Sequence, residues 1–282
     1  MAKVRPPAVA GLFYPSRPDE LAAQVSDLLE RARADPAAPS NRAAQSDPVA
    51  PLEAPVKALI VPHAGYIYSG PTAAIGYTAL DGVYDQVVLL GPCHRVGTPY
   101  VALPGSDLFR TPLGDVPVWP QGVAKVEALA EVVVSPEVHA REHSLEVQLP
   151  FLQTVLGRQV PVLPLAVGWS APEAVAAVLE AVWGGPETLI VVSSDLSHYL
   201  PYATARQVDQ ATLARIMALA PDLESDQACG VYPVNGLSAA AASHRLRAEL
   251  LDYRNSGDTA GDRDGVVGYA AISYRKELSD AV

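Results

Sequence analysis

Three short apolar runs in this chain end in residues that can hold a metal or move a proton: VPHAGY at 61–66, GPCHR at 91–95 and SSDLSH at 193–198. They supply His63, His94, Asp195 and His198. A neutral imidazole is the commonest protein ligand for a transition metal. Two of them, delivered from separate strand ends, leave positions for a third ligand and for water or substrate. ACGVYPVNGL at 228–237 offers that third donor, since Cys229 sits there in a Gly/Pro loop. Thiolate sulfur binds iron, copper and zinc, and metal binding itself releases the thiol proton. Each residue also has a plainer reading: His63 and His94 as polar caps of their loops, Asp195 as the N-cap of a following helix, and Cys229 as a small buried apolar side chain.

The segment EHSLEVQLPFLQ at 142–153 adds a charged start to an apolar helical pattern. With the residues before it, it spells His139-x-x-Glu142-His143, a zinc-peptidase spacing in which two His share a helix face and the Glu activates water. That reading requires His139 and His143 on one helix, and no companion segment supplies an evident third carboxylate.

The strands that must carry these residues are legible as apolar runs at 56–61, 86–90, 160–167 and 188–193, alternating with helical patterns at 72–80, 121–130, 144–156, 172–183 and 202–220. This is the βαβ rhythm of a largely parallel sheet, and ligands bind beyond the carboxyl ends of such strands. Parallel pairing therefore brings His63, His94, Asp195 and His198 to one sheet edge. After a helix at 233–247, strands at 249–254 and 266–275 are expected to close the sheet as an antiparallel hairpin. The fold class is α/β, one domain over residues 1–282, with a mixed but mostly parallel central sheet flanked by helices. An amphipathic helix at 18–33 precedes a Pro/Ala-rich stretch at 34–55, which reads as an exposed connection.

With 282 residues and 49% hydrophobic content, the chain can bury a full core. Acidic residues outnumber basic ones 31 to 20, and no Lys/Arg block exists to follow a phosphate backbone, which argues against nucleic acid as a partner. The apolar runs fall short of the ~20 residues a membrane span requires, so a membrane is not an expected partner either. Two cysteines, Cys93 and Cys229, and a start without a long apolar core point to the cytoplasm.

The set AGLFYP (10–15), PHAGY (62–66), SGPTAA (69–74), GPCHR (91–95), TPLGDV (111–116), EHSLEVQLPFL (142–152), SSDLSHY (193–199) and CGVYPV (229–234) closely resembles the Memo family, called AmmeMemoRadiSam system protein B in bacteria. The match runs in order over nearly the whole chain. The resemblance implies a fold similar to the class III extradiol dioxygenases, which open catechol rings with non-haem iron(II). It places metal ligands at His63, His94 and Cys229, with Cys229 where the dioxygenases carry a carboxylate. His198, expected to be oriented by Asp195 and to move protons, matches their general base, and His143 matches another pocket histidine. The implied cofactor is one ion of iron(II) or copper, with zinc a further option. The implied chemistry is redox or oxygen-linked, on a small molecule or peptide, beside radical SAM and AMMECR-type proteins of the same system. The alternative is a non-catalytic metal-, peptide- or partner-binding module with a vestigial dioxygenase site, its cleft lined by Phe13, Tyr14, Tyr66, Tyr68 and Tyr199. Cys93 stands where members of that family often carry Ser, and a bridge to Cys229 requires Cα atoms within about 7 Å.

Overall fold

Strands buried on both faces read as unbroken apolar runs, and four such runs form the middle of this sheet. The structure is a computed structural model that describes residues 2–35, 54–156 and 160–276; apart from its two ends, the connection expected at 34–55 lies outside them. In chain order the elements begin with β1 (Val4–Arg5), α1 (Pro18–Ala34), β2 (Ala58–Val61), α2 (Tyr66–Thr78), β3 (Gln86–Pro92), β4 (Val101–Leu103), β5 (Leu108–Thr111) and β6 (Gly114–Pro117). There follow α3 (Pro120–Val126), β7 (Val132–Val134), α4 (Pro136–Ala140), a 3₁₀ turn at Glu146–Gln148, α5 (Leu149–Val155), β8 (Val162–Val167) and α6 (Pro172–Val182). The chain continues through β9 (Thr188–Ser193), β10 (His198–Leu200), α7 (Tyr202–Met217), α8 (Val231–Ser243), β11 (Leu246–Asn255) and β12 (Val266–Lys276).

The large sheet has the order β10-β12-β2-β9-β3-β8-β4-β7, with β11 paired to β12. The central β2, β9, β3 and β8 are parallel, whereas β12 joins β2 and β4 joins β8 antiparallel, so the sheet is mixed as expected. Successive side chains point to opposite faces. Leu59, Val61, Leu89 and Val191 therefore face a core shared with α1, α2 and α5, while Ile60, Val88, Leu90 and Val192 face a second core under α6, α7 and α8.

Two expectations shift. The helix read from residue 72 begins at Tyr66, because Gly70 and Pro71 lie inside α2 instead of ending the segment before it. A Cβ at residue 70 would stand 2.8 Å from Leu28 of α1, so Gly70 serves the helix contact. The helix read at 144–156 is split into the 3₁₀ turn and α5. A small separate sheet, β1-β5-β6, was not foreseen. Among the described residues no helix is long and apolar enough to cross a membrane.

Candidate metal centre

The exits of β2, β3 and β9 converge, as parallel pairing requires, and their loops are tied together by the backbone. The Ser194 amide donates to the Val61 carbonyl at 2.9 Å, and the His63 amide donates to Asp195 Oδ1 at 2.8 Å. Ser144 Oγ donates to the Pro92 carbonyl at 2.9 Å, which seats the 142–148 segment on the end of β3. That seat exists because residue 91 lacks a side chain: a Cβ there would meet Ser144 Oγ at 2.7 Å. The loop carrying Cys229 is docked in the same way. The Gly230 amide donates to Ser194 Oγ at 3.0 Å, and a Cβ on Gly230 would lie 2.5 Å from Ser194 Cβ.

His63 is buried, and its tautomer follows from its neighbours. Ser193 Oγ donates its one proton to the Ser144 carbonyl at 2.6 Å and accepts from Gln148 Nε2 at 2.7 Å. Its 2.9 Å contact with His63 Nδ1 is then an acceptance, so Nδ1 carries the hydrogen and Nε2 keeps its lone pair. Burial, with His94 next to it, holds this imidazole neutral well below the usual histidine range.

His94 is fixed by Glu142. Its amide and its Nδ1 meet the two carboxylate oxygens at 2.5 and 2.9 Å, and the amides of His143 and Ser144 add bonds of 2.8 and 2.9 Å. Burial alone would raise the carboxyl's pKa, but the His94 ring and these amides outweigh it and hold Glu142 ionised, far below the usual range. An ionised carboxylate only accepts, so His94 also carries its hydrogen on Nδ1 and leaves Nε2 free. His143 lies against it, with ring centroids 4.5 Å apart and planes 28° from parallel, and lies 5.5 Å from His63. Burial lowers His143 to about 4, partly opposed by Glu142. Its Nδ1 is buried without a hydrogen-bond partner, 3.4 Å from Glu142 Oε1.

Cys229 is half-buried and its Sγ lies 3.3 Å from His63 Nε2. The Asp195 amide donates to the same sulfur at 3.3 Å. Burial and the nearby Asp195 push the thiol up, and burial raises Asp195 to about 6 against the lowering effect of the His63 amide. Two tight donor sets result, each with ligand atoms within 4.8 Å of one another: His63 with His94 and His143, and His63 with Asp195 and Cys229. The trio His63, His94 and Cys229 thus spans both sets and meets at His63. This donor chemistry fits a transition metal, because the two outer imidazole edges are committed to fixed acceptors and the inner lone pairs, with a thiol beside them, are not.

Three expectations are corrected. No helix follows Asp195; it caps the His63 amide. His198 is oriented by the Leu196 carbonyl, 2.8 Å from its Nδ1, and not by Asp195. The zinc-peptidase spacing fails, since α4 ends at Ala140, ahead of Glu142 and His143. His139 turns away to donate from Nε2 to the Ala102 carbonyl of β4 at 2.7 Å. Cys93 and Cys229 are both free thiols, and burial raises Cys93 to about 12. Of the candidate cleft aromatics, Tyr14 and Tyr66 are core residues, Phe13 packs on His143 at 4.7 Å, and Tyr199 is exposed with φ +57°. Ser144, Gln148 and Ser193, and the orienting role of Glu142, escaped sequence reading, because these residues join the site only through long-range contacts.

Below this cluster lies another. Glu146 is fully buried and receives Arg5, the amides of Ala8 and Val9 at 2.7 and 3.0 Å, and the Tyr14 hydroxyl at 2.5 Å. The remaining Arg5 nitrogens donate to the carbonyls of His139 and Glu142. This network pins the first residues of the chain under the 142–148 segment.

The chain is thus a mixed α/β sheet whose parallel strands deliver, to one edge, side chains that could hold a metal ion. The profile of the family described as Memo-like protein matches residues 5–273, and the chain belongs to that family. A MEMO1 family protein of Ignicoccus hospitalis is 35% identical, covering 96% of this chain and 98% of its own length. One from Aquifex aeolicus is 36% identical, covering 96% and 99%. In fold, the chain is similar to the crystal structure of uncharacterized protein JW3007 from Escherichia coli K12, with a TM-score of 0.51 at 13% identity over 77% of this chain and 99% of that one.

Proposed function

We propose that the pocket binds one transition-metal ion, iron(II) or copper, through His63, His94 and Cys229, and uses it for redox or oxygen-linked chemistry on a small molecule or peptide. The observation that carries this reading is the fixed tautomer of both imidazoles: Ser193 and Glu142 take the Nδ1 hydrogens, so both Nε2 lone pairs are left for an ion. Bound iron(II) or copper supplies one-electron chemistry and an open coordination position. The chain's own part is positioning and proton handling. His198, with Nδ1–H held by the Leu196 carbonyl, keeps Nε2 to take up or deliver a proton at the pocket rim. The family's bacterial name supports a place beside radical SAM and AMMECR-type proteins.

Anaerobic calorimetry of the reduced protein with iron(II), copper(I) and zinc(II) tests the proposal. We expect one equivalent of iron(II) or copper(I) on the wild type and none on His63→Ala, while His198→Ala keeps its metal and loses ascorbate-driven oxygen uptake. A wild type that binds none of the three ions would leave the pocket as a vestige and make partner binding the better reading. Metal binding with oxygen uptake unchanged in His198→Ala would remove His198 from proton handling.

A further inference from the structure

One imidazole serves both donor sets. His63 Nδ1 is spent on Ser193, so Nε2 is the ligand atom that faces Cys229 on one side and the other two histidines on the second. On that second side two Nδ1 atoms lie near a single oxygen: Glu142 Oε1 accepts from His94 Nδ1 at 2.9 Å and lies 3.4 Å from His143 Nδ1 without a hydrogen bond. The two rings are stacked, and one nitrogen of each lies within 4.8 Å of the other and of a His63 nitrogen. The His143 Nδ1 has no hydrogen-bond partner, and the aromatic neighbours of the ring are Phe13, His63 and His94. Ligand nitrogens on one tetrahedral ion sit about 3.4 Å apart, given metal–nitrogen bonds of about 2.0–2.1 Å. The three ligand atoms already lie within 4.8 Å of one another.

We propose that His143 is a metal ligand, and that the pocket holds one ion in either of two ways hinged on His63: three imidazoles (His63, His94, His143) for zinc(II) and cobalt(II), or a set containing the Cys229 thiolate for copper(I). The inference rests on the reading of this pocket as a metal centre and adds a ligand that the two-histidine, one-cysteine set lacks. Ligand softness decides between the two. Imidazole nitrogen suits zinc(II) and cobalt(II), whereas copper(I) prefers sulfur and low coordination numbers. His63 keeps its position in both, and only the partner on one side or the other of its Nε2 changes.

The test uses cobalt(II) as a spectroscopic stand-in for zinc(II), and copper(I) in competition with a chromophoric chelator, all anaerobic, on the full-length protein. Wild type and Cys229→Ser should each bind one cobalt(II), with affinities within about tenfold of one another and no sulfur-to-cobalt charge-transfer band in either, and adding His143→Gln should cost about tenfold or more. For copper(I), Cys229→Ser should lose at least about tenfold and His143→Gln less than about threefold. Loss of cobalt(II) in Cys229→Ser, or no effect of His143→Gln in that background, overturns the proposal. Should His143→Gln not fold, as judged by circular dichroism, X-ray absorption of the zinc(II)-loaded wild type counts the imidazoles, and two with one sulfur overturns it equally. A wild type that binds neither ion removes the metal-centre reading itself, an outcome separate from failure of the His143 assignment.

Discussion

Two polar clusters share the segment 139–148 and are built to opposite rules. In the inner one, Glu146 and Arg5 neutralise each other, each guanidinium nitrogen has an acceptor, and the remaining carboxylate capacity is taken by two amides and a hydroxyl. In the outer one, Ser193 and Glu142 hold the Nδ1 edges of His63 and His94, the Nδ1 of His143 has no partner, and the Nε2 lone pair of His63 meets the Cys229 thiol. Both clusters are buried and both contain shifted titratable groups. What separates a structural cluster from one able to take up a ligand here is spare bonding capacity.

The most severe way to break this comparison is Glu146→Gln. It leaves the Arg5 guanidinium buried without its counter-charge, and we expect a loss of about 3–5 kcal/mol in denaturant unfolding. A loss under about 1 kcal/mol would show that the inner network is not held by charge. The metal-free protein's stability should also fall with acid. His139 and His143 are lowered to about 4 and His63 is lowered too, so their neutral-state stabilisation is complete above 6.5 and disappears as pH drops towards 4, on the order of 3 kcal/mol for each of the first two. Asp195, raised to about 6, works in the opposite sense, since its contribution is full below 3.8 and lost as pH rises through 6; it offsets part of the trend. Thermal melts between pH 8 and 4.5 read the balance, and a melting temperature that stays level across that range would contradict the buried neutral imidazoles. The smallest effect sharpens the outer half of the comparison. Ser193→Ala removes the acceptor that sets the His63 tautomer and should weaken metal binding by about 10–100-fold while costing only about 1–3 kcal/mol of stability. Unchanged affinity would mean that the tautomer is set elsewhere.

The strand exits at His63, His94 and Asp195 were legible because long β-branched runs announce buried parallel strands, and a parallel sheet has only one carboxyl edge. Three-residue strands such as Val101–Leu103 and Val132–Val134 carry too little pattern to be read, and Gly70–Pro71 mimics a break that helix packing overrides. The orienting shell was hidden for another reason. Ser193 meets His63 across 130 positions and Glu142 meets His94 across 48, and neither Ser nor Glu signals such a partner locally. His198 was picked out as a candidate by its motif, but its orienting group is a backbone carbonyl, which no side-chain pattern encodes.

The sheet order has a consequence for synthesis. β2 carries the exit to His63, yet its neighbours are β9 and β12, so the last of its pairings comes from Val266–Lys276. Contacts between such distant segments form late and slowly. A nascent chain that has already displayed His63 and His94 still lacks the strand that closes one side of β2. A ribosome-bound intermediate therefore presents the histidines without the finished pocket, and the order of translation itself postpones the site until Val266–Lys276 has emerged.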